Sequence, residues 1–145
     1  MTTAIINYTL NASPAEVYPY FLDFEKFGKL HPYMVEIKKL EANHYSISEK
    51  LFLYGFIPMR PFYTATVHEL EKDKKILYTS HVKRGVDLKL FFHFSDPGNG
   101  TVLIRETIEV EANKLIAVVF VGLIKKAHKK LIESLENTTK NKNGN

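Results

Sequence analysis

The chain has 145 residues, 45% of them hydrophobic and 25% charged, and a net charge of +4. This length and balance fit one domain with its own core and exclude a chain disordered throughout. The absence of cysteine excludes disulfides, thiol nucleophiles and thiolate metal sites, and a charge of +4 without a dense basic stripe does not point to nucleic acid.

Ala4 to Leu10 alternates, with Ala4, Ile6, Tyr8 and Leu10 on one side, and predicts a strand. Ser13-Pro14-Ala15-Glu16 follows. Serine at the N-cap, proline at the first helical position and glutamate three residues after the serine make a capping box. The helix it opens carries Val17, Tyr20 and Phe21 on one face. Asp23 is placed to cap a second short helix through Phe27 and Leu30, which Pro32 stops. From Tyr33 the hydrophobic period changes to two, and strands are predicted at 33–41, 44–54, 62–70, 75–82, 86–95 and 101–111. The connections between them are short, at 41–43, 71–75, 83–85 and 96–100, so neighbours in sequence pair antiparallel. The exception is Gly55 to Pro61, long and apolar for a loop.

Asn113 is placed to cap a final helix running to about Asn137, with a stripe of Ile116, Phe120, Leu123, Ala127, Leu131 and Leu135. The polar tail 138–145 is expected to be disordered. The apolar run from Leu115 to Ile124 is about half the ~20 residues a membrane span needs. Met1 to Ile6 holds no basic run and no cleavable apolar segment, so a cytoplasmic location is expected.

A strand, two short helices, a six-strand meander and a long C-terminal helix, with Ala12-Ser13-Pro14-Ala15-Glu16-Val17-Tyr18-Pro19-Tyr20-Phe21-Leu22-Asp23 and then Leu30-His31-Pro32, resemble the helix-grip superfamily (SRPBCC). That group holds the START lipid-transfer domains, the birch-pollen-allergen family and the polyketide cyclase/dehydrase-like proteins. The resemblance covers residues 1 to about 137 and rests on element order and a degenerate opening motif. It implies an α+β fold in which a curved seven-stranded antiparallel sheet wraps the C-terminal helix. It also implies an internal cavity for a lipid, isoprenoid, polyketide or aromatic compound; separately, no cofactor is expected.

A hairpin at 83–85 pairs Val82 with Val86, and alternate residues outward from there share a face. Pairing Phe94 with Val102 and Leu70 with Ile76 extends the register. One face then holds Leu88, Leu90, Phe92, Ile104 and Ile108, and His68, Tyr78, Leu90 and Glu106 form one cross-strand row. Glu106 interrupts that apolar face, and Glu49 does the same between Ile47 and Leu51. The expected cavity lining is therefore Glu106, His68, Tyr78, Glu49, Leu88, Leu90, Phe92, Ile104, Ile108, Phe120 and Leu123. The expected mouth is Phe56, Ile57, Met59, Leu115 and Ile116. An apolar helix start there fits dense packing, a homodimer contact or a gate that transiently touches membranes. Lys125, Lys126, Lys129 and Lys130 read as a solvated face.

The histidines His31, His44, His68, His81, His93 and His128 show no metal-ligand spacing, and no phosphate loop or nucleophile elbow occurs. Three readings follow: a carrier of a hydrophobic small molecule, a cyclase- or isomerase-like enzyme using Glu106 as acid/base, and an interaction module acting as monomer or homodimer through the start of the last helix.

Overall fold

The computed structural model describes residues 1–82 and 85–143, with Lys142 and Asn143 as backbone only. Strand β1 (Thr2–Leu10) leads into α1 (Pro14–Leu22) and α2 (Phe24–Leu30). Next come β2 (Met34–Glu41), β3 (His44–Glu49), β4 (Leu51–Leu53), β5 (Ile57–Met59), β6 (Phe62–Glu71), β7 (Lys75–Val82), β8 (Val86–Ser95) and β9 (Val102–Glu111). Helix α3 (Lys114–Asn143) ends the chain's described part. Seven strands form one antiparallel sheet in the order β1-β9-β8-β7-β6-β3-β2. The chain's first strand thus closes onto its last, and the consecutive hairpins fill the rest of the sheet.

The helix starts are set by short polar side chains. Ser13 Oγ accepts the Glu16 amide at 3.3 Å and donates to Glu16 Oε1 at 3.1 Å, so the box couples side chain to side chain as well as to backbone. Asp23 Oδ1 accepts the Glu25 amide, and Asn113 Oδ1 accepts the Leu115 amide, both at 3.0 Å. On α1 the buried face is Val17, Tyr18 and Phe21; Tyr20, expected on that face, is only half-buried.

α3 continues through Asn143, past the expected end near Asn137, so residues 138–143 are helical. The hydroxyls of Thr138 and Thr139 bond back to the carbonyls of Ser134 and Leu135, Lys140 pairs with Glu136 at 3.2 Å, and Thr139 is buried. Polar composition alone does not stop a helix that meets no proline, and no glycine between Gly122 and Gly144.

Strand 44–54 is two strands rather than one. The chain leaves the large sheet at Lys50, whose amide bonds the Tyr33 carbonyl at 2.8 Å. β4 then pairs with β5 alone. The segment expected to be a loop is therefore mostly a hairpin, turned through Tyr54 and Gly55, both at positive φ (55° and 81°).

Val82 pairs with Val86 as expected, although Lys83 and Arg84 of that turn lie outside the described residues. Two register expectations fail. Phe94 pairs with Ile104, not Val102, so Glu106 lies beside Phe92 instead of Leu90. A slip of two residues keeps the face. At the other hairpin Glu71 pairs with Lys75, and a bulge then sets Glu69 opposite Ile76. That slip of one residue turns the whole strand over. Val67 faces inward beside Tyr78, and His68 faces out beside Leu77.

The concave face packs on α1, α2 and α3. Phe21, Phe24, Phe27, Tyr78, Phe92 and Phe94 meet there with centroids 5.0–6.2 Å apart, mostly tilted or edge to face.

Candidate functional site

Beside this aromatic floor the sheet and α3 do not meet fully. A cavity of about 140 Å³ remains between them. Val119, Phe120, Leu123, Ile124, Ala127 and His128 of α3 form one wall. Tyr63, Tyr78, Ser80, Val82, Leu88 and Leu90 of the sheet form another. Phe24, Phe27, His31, Tyr33 and Met34 close the α2 side, and Glu49, Leu51, Leu53, Met59 and Pro61 close the side of the β4–β5 hairpin. Leu51, Leu53 and Met59 reach the cavity because the break at Lys50 folds that hairpin across the opening. A larger concavity, about 430 Å³, lies on the outer sheet face around Thr64, Thr66, His81, Asp87 and Lys89. It is open to solvent and its lining is mixed in charge.

The two histidines of the cavity lining gather with Glu106 at one pole. His128 Nδ1 lies 2.5 Å from Glu106 Oε2, and Tyr8 donates to Glu106 Oε1 at 3.2 Å. Glu106 is fully buried and His128 is 5% exposed. A carboxylate bonded to Nδ1 holds the ring proton on that atom and leaves Nε2 as the free edge. No hydrogen bond engages Nε2 among the described residues, yet no buried side-chain nitrogen or oxygen among them lacks a partner. His128 lines the cavity, so Nε2 meets it.

His31 stands next to it, with ring centroids 5.9 Å apart at 85°. Its Nδ1 accepts the Tyr33 amide at 3.1 Å, which places the proton of the neutral ring on Nε2. Burial, then the charge of His128, lowers the His31 pKa from 6.5 to about 3. Across the cavity Tyr63 donates to Glu49 Oε2. Burial raises the Glu49 pKa, while the Tyr63 bond and the His128 charge pull it back. Burial, then the Glu49 charge, raises that of Tyr63. Tyr78 spends its hydroxyl on the Phe21 carbonyl. The arrangement can therefore offer a ligand a neutral imidazole N–H, a carboxylate-backed imidazole and a carboxyl group, with aromatic rings on the other sides.

Of the residues expected in the lining, Tyr78, Glu49, Leu88, Leu90, Phe120 and Leu123 are there, and so is Met59 of the expected mouth. Glu106 faces inward but stands behind His128, without a place in the cavity wall. Phe92, Ile104 and Ile108 are packed in the core instead, because α1, α2 and the far half of α3 cover that part of the sheet. His68 is exposed on the opposite face, the result of the bulge at Glu69–Glu71. Phe56, Ile57, Leu115 and Ile116 are exposed and do not line the cavity: the hairpin turn carries the first two outward, and the first turn of α3 the others.

The sequence does not single out His128, and it marks His31 only within Leu30-His31-Pro32. The signal for His128 is its spacing: Ile124, His128, Leu131 and Leu135 recur at three or four residues, so a histidine sits within the apolar stripe. No helix among the described residues is long and apolar enough to cross a membrane.

The fold matches that of solved structures. A START superfamily protein from Mycobacterium smegmatis aligns with a TM-score of 0.75 at 12% identity, over 96% of this chain and 97% of that one. The chain has the helix-grip fold. Ara h 8.0201 aligns with a TM-score of 0.71 at 14% identity, over 95% and 97% of the two chains. The di-domain ARO/CYC StfQ from the steffimycin biosynthetic pathway gives 0.73 at 11% identity, over 97% of this chain and 46% of StfQ. No known family's sequence profile and no curated protein matches the chain. At these identities the likeness concerns the helix-grip fold and leaves the function to the site.

Proposed function

We propose that the chain binds a small, mostly apolar molecule in the cavity between sheet, hairpin and α3. The observation that carries this is the cavity itself: about 140 Å³, walled by aliphatic and aromatic side chains, with His31 and His128 together at one pole. Ligand sites are commonly built this way, an apolar wall for affinity and a few polar groups for orientation. A dry cavity of about 150 Å³ is enough for a single ring, so the native volume suits one ring or a short branched chain rather than an extended lipid. The solved structures with this fold, a START protein and a polyketide ARO/CYC among them, support a ligand-holding role.

Toluene tests the reading. Saturating toluene should shift the backbone NMR signals of Leu123 to His128 and raise the melting temperature. Ala127 is buried on the cavity wall; Ala127→Leu should fill the space and abolish both effects. Toluene that leaves the wild-type signals unmoved refutes the proposal.

A further inference from the structure

The polar pole pairs a base with a donor. Nδ1 of His128 is tied to a fully buried carboxylate, so a proton arriving at Nε2 gives an imidazolium already facing its counter-charge. The neighbouring His31 is held neutral with its N–H on the opposite nitrogen from the backbone contact. An oxygen in the cavity within reach of both Nε2 atoms would lose a proton to one ring and accept a hydrogen bond from the other. Phe27 meets His128 edge to face at 5.7 Å, and Tyr33 meets His31 at 5.8 Å, so both imidazoles sit among aromatic rings. Such walls favour a flat guest.

We propose that His128, positioned by Glu106, takes the proton of an acidic O–H carried by a flat ring, a phenol or a cyclic enol, and that His31 hydrogen-bonds the resulting oxyanion. The proposal rests on the cavity reading above and specifies its ligand class. The step balances as a single proton transfer. The ligand O–H bond breaks, an Nε2–H bond forms on His128, the electron pair stays on the ligand oxygen, and the Nδ1 proton continues to face Glu106 Oε2. Tyr8 holds the other carboxylate oxygen. Glu49, the acidic group of the cavity lining, is occupied by the Tyr63 hydroxyl. Glu106 acts through His128 and is a positioning residue.

4-Nitrophenol is the probe, because its ionised form absorbs in the visible. About one pH unit below its own pKa, roughly a tenth of the free compound is ionised. Binding to the wild-type protein should bring the ionised fraction to about nine tenths, a shift of roughly a hundred-fold in the ionisation ratio. His128→Gln and Glu106→Gln should abolish the visible band of the bound probe. His81→Gln, on the exposed outer face and paired with Asp87, should retain it. Should a buried variant fail to fold, the wild-type spectrum decides alone. Toluene that binds while 4-nitrophenol binds in its neutral form, or not at all, overturns this proposal and spares the cavity reading. Binding of neither compound overturns both.

Discussion

Acidification from pH 8 to pH 5 loads the unfolded chain's His31 with a proton that the folded chain refuses. The folded pKa, about 3, lies below the ordinary 6.5 because the ring is buried and faces His128. A depressed folded pKa contributes stability that is complete above pH 6.5 and is lost as pH falls, the loss ending near pH 3. At pH 5 the chain stands 1.5 units below 6.5. At about 1.36 kcal/mol per unit, His31 alone removes about 2 kcal/mol. Urea unfolding at pH 8, 7, 6 and 5 measures this. The comparison is His31→Leu, which gives up the Tyr33 amide bond at a pH-independent cost of about 1 kcal/mol but removes the titration. Wild type should therefore lose about 2 kcal/mol more than the variant between pH 8 and pH 5. Parallel lines for the two proteins would refute the reasoning, for they would mean that His31 accepts its proton in the folded state.

The buried pair gives a second expectation. Glu106→Leu strands the His128 imidazole and the Tyr8 hydroxyl and should cost about 3–5 kcal/mol, whereas Glu106→Leu with His128→Leu should recover most of that loss; single effects that simply add in urea melts would show that the two groups do not act together. Gly28 gives a third. A Cβ there would stand 1.7 Å from Ile37 Cδ1 and 3.2 Å from its Cγ1, against the end of a side chain that can rotate. Gly28→Ala should therefore change stability by less than about 1 kcal/mol, rotamer cost offsetting helix propensity, while Gly28→Phe should unfold the α2–β2 contact, as read by thermal melts.

The element order and most boundaries could be read from the sequence because hydrophobic period and capping residues act locally. Ser13 with Glu16 and Asn113 with Leu115 need nothing beyond their own turn. Glu106 stood out for a related reason: a carboxylate on an otherwise apolar strand face must meet a partner. That partner, His128, is 22 residues away on α3, and only the packing of helix on sheet brings the two together. His68 was misplaced by one bulge. A five-residue turn with straight pairing and a turn followed by a bulge use the same sequence, and they differ by one residue of register, which is a whole face. The break at Lys50 was hidden because Leu51 to Leu53 keeps the alternation of β3 while pairing elsewhere.

The hairpin that crosses the opening is joined to the large sheet by covalent continuity at its two ends, and its own ladder has three residue pairs. Such a two-strand unit is marginal by itself, so it should exchange its amides through openings far smaller than global unfolding. Accommodating a bulkier guest then requires displacing this flap alone, while the seven paired strands keep their register. On the proposed ligand-holding role, residues 51–59 set the size limit of the cavity, and substitutions there would alter which molecules enter without disturbing the aromatic floor beneath.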